Sequence, residues 1–403
     1  GGLRSSGRRR GRLTSVRTGL GRIADGDSKA VRLVAGRKVG LLAHAASVDR
    51  ALRPAAEVLE AAGARIAALF GPEHGFAGAA QDMIGVGTES ASEVPVYSLY
   101  GDDAAALSPK PEWLAELDVL VVDLQDVGSR YYTYVWTAAL AMKVAAAVGT
   151  EVVVLDRPNP LGGVRVEGAP QREGYLSFVG LYPVPVRHGL TIGELMHWVR
   201  EREGVNRDAL HVVPMDGWQR AMSFMETGLP WVMPSPNMPT YDTALVYPGG
   251  CLIEGTQLSE GRGTTRPFEL WGGPGLDVDA LMALDLHGVT LRPVEFTPTF
   301  QKHAGSSCLG VQVHVTDPWV FRPYEAYLRM LAAVLPGLPE RERWRTEVYE
   351  FVSDRPAIDL LTGGPEAREA ITAGDGLDEV LAHESRGAAE FDGERRAAWL
   401  YEK

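Results

Sequence analysis

The stretch LFGPEHGFAG, residues 69–78, places a carboxylate, Glu73, beside an imidazole, His74, directly after an apolar run. An acid next to a base on a glycine-bearing loop has the residue content of proton-transfer chemistry, and also that of a braced tight turn. Pro72 before Glu73 and Gly75 two residues after it pin the backbone, which favours the reactive reading. A carboxyl among apolar neighbours such as Phe70 and Phe76 is expected to hold its proton to higher pH, as a general acid must. Glu73 therefore reads as a proton donor. On an extended backbone adjacent side chains face opposite ways, so a direct dyad is not expected. His74 reads as the partner that braces the loop within the catalytic group.

Two further apolar runs release polar residues at their C-terminal ends. LDVLVVD leads to Asp123, Gln125, Asp126 and Arg130, and EVVVLD leads to Asp156, Arg157 and Asn159. Several carboxylates on one rim suit a polar ligand, although Asp123 and Asp156 read equally well as helix caps or loop braces. GSRYYTY adds Tyr131, Tyr132 and Tyr134, whose faces and hydroxyls suit a sugar ring, and Arg130, which can grip a carboxylate with two donors. The irregular stretch EGTQLSEGRGTTRPFE contributes Glu254, Thr256, Glu260, Arg262, Thr264, Thr265 and Arg266, framed by glycine.

These residues need a scaffold. KVGLLAHA, ARIAALF, VPVYSLYG, LDVLVVD and TEVVVLD read as strands; DRALRPAAEVLEAAG and YYTYVWTAALAMKVAAAVG read as helices. Continuous Val/Leu/Ile runs signal strands covered on both faces, and their alternation with helices predicts a doubly wound, mostly parallel α/β sheet of Rossmann type. In such sheets ligands bind outside the carboxyl ends of the strands. Beyond residue 165, ELMHWVREREGV reads as a helix and LHVVPM as a strand. The stretches up to residue 275 read as long irregular loops, the kind that carry function. LGVQVHVTD resumes as a strand, and YEAYLRMLAAVL and PEAREAITAG as helices. The expected division is a basic disordered tail over 1–27, a Rossmann-like catalytic domain over 28–240 and a smaller α/β (α+β) domain over 241–403 that completes the cleft.

Composition narrows the class. The chain has 403 residues, 45% of them hydrophobic and 23% charged, as in an ordinary globular protein. A net charge of −12 argues against nucleic-acid or anionic-membrane partners. No apolar run reaches the roughly 18 residues of a membrane-spanning helix. The visible sequence favours a cytoplasmic protein, with export the reading if a signal peptide has been removed. Cys251 and Cys308 make neither a disulfide framework nor a zinc cluster, and the nine histidines are scattered, so neither metal nor cofactor is expected. The stretch HAASVD after the first strand has no phosphate-cradling glycines, which counts against a nucleotide-linked transferase or dehydrogenase.

In order along the chain, FGPEHGF, PVYSLYG, LVVDLQDVGSRYYTY, VVLDRPNPLGG, RHGLTIGEL, PSPNMPT and YPGGCLIEGTQLSEGRGTTRPFE resemble the NamZ exo-β-N-acetylmuramidases, glycoside hydrolase family 171. The likeness runs strongly from about residue 38 to about 275 and more diffusely beyond. It implies a cleft between a Rossmann-like and a smaller domain. It also implies cofactor-free hydrolysis of terminal β-1,4-linked N-acetylmuramic acid from the non-reducing end of peptidoglycan fragments, a disaccharide or muropeptide. In the matching motifs Glu73 takes the acid role. Arg130, Tyr132, Tyr134, Asn237, Thr256 and Arg262 become substrate-binding candidates, with Asp82 on the loop after GPEHGF. An arginine would face the lactyl carboxylate. The pattern departs from the family at His44–Ala45–Ala46–Ser47, at Ala80–Gln81–Asp82, and at Gln257.

Glycosidases typically set two carboxyl groups about the scissile bond. The second is open among Asp126, Glu254 and Asp82, with the substrate's own N-acetyl group as a further nucleophile. The alternative is an altered homologue that binds cell-wall amino sugars or cleaves a different terminal amino sugar. Oligomeric state is not legible.

Overall fold

The computed structural model describes residues 15–76 and 94–402. Helices α1 (Gly19–Ala24) and α2 (Ser28–Val31) precede β1 (Lys38–Ala43). Then come α3 (Ala55–Ala61), β2 (Arg65–Gly71), β3 (Val96–Ser98), α4 (Pro111–Leu114) and β4 (Val119–Asp123). Helix α5 (Tyr134–Ala147), β5 (Glu151–Leu155), α6 (Ile192–Glu203) and β6 (Leu210–Val213) complete a six-stranded sheet in the order β3-β2-β1-β4-β5-β6. Every pairing in it is parallel.

Both faces of that sheet are covered, for a reason visible in the strands. Val39, Leu41, Val119, Val121, Val153 and Leu155 join one apolar cluster with Leu20 and Ile23 of α1 and Val58 and Leu59 of α3. The alternate residues Leu42, Leu120, Val122, Val152 and Val154 join a second cluster with α5 and α6. Side chains alternate across a strand, so a strand apolar at every position must be buried on both sides. The expected doubly wound α/β architecture is what the chain forms.

The second half opens with α7 (Tyr241–Gly250), and β7 (Leu270–Gly273), α8 (Val278–Met282), β8 (Val289–Phe296) and β9 (Cys308–Val315) follow. The three strands make a small antiparallel sheet, β7-β9-β8. Helices α9 (Pro323–Val334), α10 (Ala357–Thr362), α11 (Glu366–Ala373) and α12 (Leu377–Glu394) end the chain's regular structure. The apolar cluster on the α5 face continues without a break into Trp271, Tyr327 and Leu361 of this half. The C-terminus returns to the first sheet, where the Tyr401 hydroxyl donates to Asp156 at 2.5 Å.

Two expectations fail. The tail expected over 1–27 is ordered from residue 15: Thr18 caps α1, and Leu20 and Ile23 are buried against the sheet; residues 1–14 lie outside the described ones. The stretch YDTALVYPGG, read as irregular, is helix α7, capped by Thr240. Its glycines serve packing, since a side chain on Gly249 would stand 2.2 Å from the carbonyl of Pro323. Among the described residues no helix is long and apolar enough to cross a membrane.

Candidate active site

Strand β2 delivers its acid through a turn. The Gly75 N–H donates to the Pro72 carbonyl at 2.9 Å, and His74, third residue of the turn, has φ of 71°. That is the position a type II turn reserves for glycine or asparagine, so histidine there costs on the order of 1 kcal/mol. Gly71 admits the fold-back, because a Cβ there would lie 2.3 Å from the Phe76 nitrogen. The result reverses one expectation: Glu73 and His74 both line the same cleft, with Nε2 4.0 Å from Oε1. They face one way because the backbone is a left-handed turn rather than an extended strand. Phe70 and Phe76 go to opposite apolar clusters and do not line the cleft.

Glu73 is buried and held from α5. The Thr133 hydroxyl donates to its Oε2 at 3.1 Å, while the Tyr134 hydroxyl donates to the Pro234 carbonyl at 2.7 Å and lies 3.4 Å from the Glu73 carbonyl. Tyr132, Tyr134 and Tyr247 line the cleft, the Tyr132 ring 4.6 Å from Tyr134 and 5.8 Å from Tyr247. Burial pushes all three phenols up, so they stay neutral donors at any physiological pH.

The opposite wall comes from the second half. The Glu254 carboxylate accepts from Arg262 Nη2 at 2.6 Å and from the Tyr349 hydroxyl at 2.8 Å. The guanidinium of Arg262 stands 5.2 Å from the Phe268 ring. Ser235, Asn237 and Glu350 complete the cleft lining. Rings, hydroxyls, acids and a guanidinium are the groups that bind a sugar carrying an anionic substituent.

Among the candidates named from sequence, Glu73, His74, Glu254, Tyr132, Tyr134, Asn237 and Arg262 meet at this cleft. Three do not. Arg130 is fully buried and donates to the carbonyls of Ala169 at 2.9 Å, Val184 at 3.1 Å and Leu361, a clamp between the two halves rather than a ligand contact. Thr256 is buried too, its hydroxyl donating to the Ile253 carbonyl at 2.8 Å and accepting from the Leu258 N–H. Asp126 lies outside the cleft lining, accepting from the Gly128 N–H at 2.8 Å, and burial pushes its carboxyl up to about 7. Asp82 and Gln81 lie outside the described residues.

The other rim carboxylates are braces. Asp123 pairs with Arg157 at 2.5 and 2.8 Å, and Asp156 accepts from Thr191, Gly193 and Tyr401. His44, one of the departures from the family pattern, ties three loops together. It accepts from the Gln125 N–H at 2.9 Å and reaches the Pro234 carbonyl at 3.0 Å. Gln257, another departure, donates to the Trp344 carbonyl at 3.3 Å.

Thr133, Ser235, Tyr247, Tyr349 and Glu350 were not singled out from sequence. Thr133, Ser235 and Tyr247 sit inside the quoted motifs, so a signal existed. VYEFVSD, which carries Tyr349 and Glu350, has no local mark of a site. Among the described residues no three His, Cys, Asp or Glu side chains group as a metal site.

Residues 39–242 match the family model for the N-terminal part of exo-β-N-acetylmuramidase NamZ, and residues 245–401 the model for its C-terminal part. The chain is 41% identical to the peptidoglycan β-N-acetylmuramidase NamZ of Bacillus subtilis (strain 168), over 96% of this chain and 91% of that protein. Two crystal structures of DUF1343 family proteins from Bacteroides fragilis NCTC 9343 share the fold. One has a TM-score of 0.84 and 32% identity, covering 96% of this chain and 99% of that one. The other has a TM-score of 0.75 and 26% identity, covering 97% and 100%. The chain belongs to the NamZ exo-β-N-acetylmuramidase family.

Proposed function

We propose that this protein is an exo-acting β-N-acetylmuramidase that removes terminal N-acetylmuramic acid from the non-reducing end of peptidoglycan fragments. The observation that carries the reading is the Glu73 carboxyl, held by Thr133 and facing a tyrosine-lined cleft. Glu73 protonates the glycosidic oxygen as the bond to C1 breaks. His74 stands close enough to steer that carboxyl. Tyr132, Tyr134 and Tyr247 give the ring a face to pack on and hydroxyls to bond. Arg262 lines the cleft while paired with Glu254, and is the arginine placed to meet the lactyl carboxylate, since Arg130 is outside the lining. The relative in Bacillus subtilis, by its name, acts on peptidoglycan as a β-N-acetylmuramidase, and the likeness extends over nearly the whole of both chains.

In the division into 28–240 and 241–403, the first part carries the acid and the second the Glu254–Arg262 wall. Glu73→Gln tests the assignment. Turnover of the disaccharide with N-acetylmuramic acid at its non-reducing end should fall by about 10² to 10⁴-fold, with the protein still folded. Equal turnover by wild type and variant would remove Glu73 from the mechanism.

A further inference from the structure

Hydrolysis of this kind asks for a second carboxyl group near Glu73, and the three named from sequence do not supply a clear one. Asp126 is outside the cleft wall, Asp82 is outside the described residues, and Glu254 spends one oxygen on Arg262 and the other on Tyr349. A different carboxylate lies in the lining, Glu350.

Its backbone is unusual. Tyr349 and Val352 exchange both backbone hydrogen bonds, at 3.1 and 2.9 Å, leaving Glu350 and Phe351 as the two central residues of a tight hairpin turn. Both have positive φ, 47° for Glu350 and 66° for Phe351. This is the pattern of a type I′ turn, which strongly prefers Asn-Gly. Glutamate and phenylalanine are poor residues for it, and strain kept at a cleft residue is a pointer to function. Phe351 has a packing reason for its place, with its ring 6.0 Å from Tyr100. Glu350 is buried and lines the cleft, on the wall opposite the one that carries Glu73.

We propose that Glu350 is the second carboxylate of the reaction, standing ionised against the positive charge that develops on the sugar. The proposal rests on the hydrolase reading above. Glu73 gives its proton to the glycosidic oxygen while the electron pair of the C1–O bond moves onto that oxygen. The charge left on C1 and the ring oxygen is stabilised by Glu350. Water then adds to C1 and returns one proton to Glu73, which restores the starting state.

The test compares wild type, Glu350→Gln, Glu350→Asn and Glu73→Gln on a nitrophenyl N-acetylmuramide and on the disaccharide with N-acetylmuramic acid at its non-reducing end. Asparagine tolerates the left-handed region, so Glu350→Asn should melt at or above the wild-type temperature. Both Glu350 variants should nevertheless lose on the order of 10²–10³ in kcat, equally on the two substrates. Glu73→Gln should lose less on the nitrophenyl substrate, whose leaving group needs little protonation. If wild type is active and the two folded Glu350 variants match it, the role of Glu350 is wrong and the hydrolase reading stands. If wild type cleaves neither substrate, the hydrolase reading falls and this inference with it.

Discussion

Arg130 and Arg262 stand in similar sequence surroundings, among glycines, hydroxyl residues and aromatics, and end in opposite places. Arg130 donates to carbonyls of residues 169, 184 and 361, partners that leave no mark in sequence because every residue carries a carbonyl. Arg262 meets Glu254, a partner that local reading could place beside it. His44 shows the same limit from the other side. Its Nε2 accepts from the Gln125 N–H, so Nδ1 carries the proton toward Pro234, and burial pushes the ring down to about 3. A folded pKa below the unfolded value of about 6.5 means stability present above that pH and lost as pH falls toward 3. The neutral ring should therefore contribute a slope of about 1.4 kcal/mol per pH unit between pH 4 and 6. Denaturant titrations across that range should show His44→Gln with a slope smaller by that amount. Parallel curves for the two proteins would rule out a neutral, buried His44.

The elements divide by how local their cause is. The parallel strands were legible because burial on both faces leaves a run of Val, Leu and Ile, as in LVV of β4. Helix α7 was not, because Pro248, Gly249 and Gly250 read as a break, whereas they lie in its last turn and let Pro323 and Phe268 come close. Strand β8 contains Pro293 and reads poorly, yet it is an edge strand of its sheet, where proline is tolerated. The β2 turn is the element on which the site depends. Gly71→Ala would push a methyl against the Phe76 backbone, and we expect a loss of about 1–3 kcal/mol in urea unfolding. Turnover should fall further than that loss explains, since Glu73 and His74 ride on the displaced turn. Unchanged turnover would mean that the turn does not set their positions.

At the scale of the whole molecule the cleft joins two distant parts of the chain. Glu73, Thr133, Tyr132 and Tyr134 come from the carboxyl edge of the parallel sheet, as that topology requires, and the placement of this wall could be read from strand order. Glu254, Arg262, Tyr349 and Glu350 arrive from the second half, brought there by the apolar cluster it shares with α5 and α6. No periodicity or spacing announces such a contact; for Glu254 and Arg262 the family likeness stood in for it, and for Glu350 nothing did. A cleft closed this way, with an arginine in its wall, should take a terminal muramic acid and no other end. The most direct measurement is mass spectrometry of the two isomeric peptidoglycan disaccharides after incubation with the intact protein. Release of N-acetylmuramic acid from the isomer bearing it at the non-reducing end, with the other isomer untouched, is the result expected. Cleavage of the isomer that begins with N-acetylglucosamine, or of neither, would contradict the account.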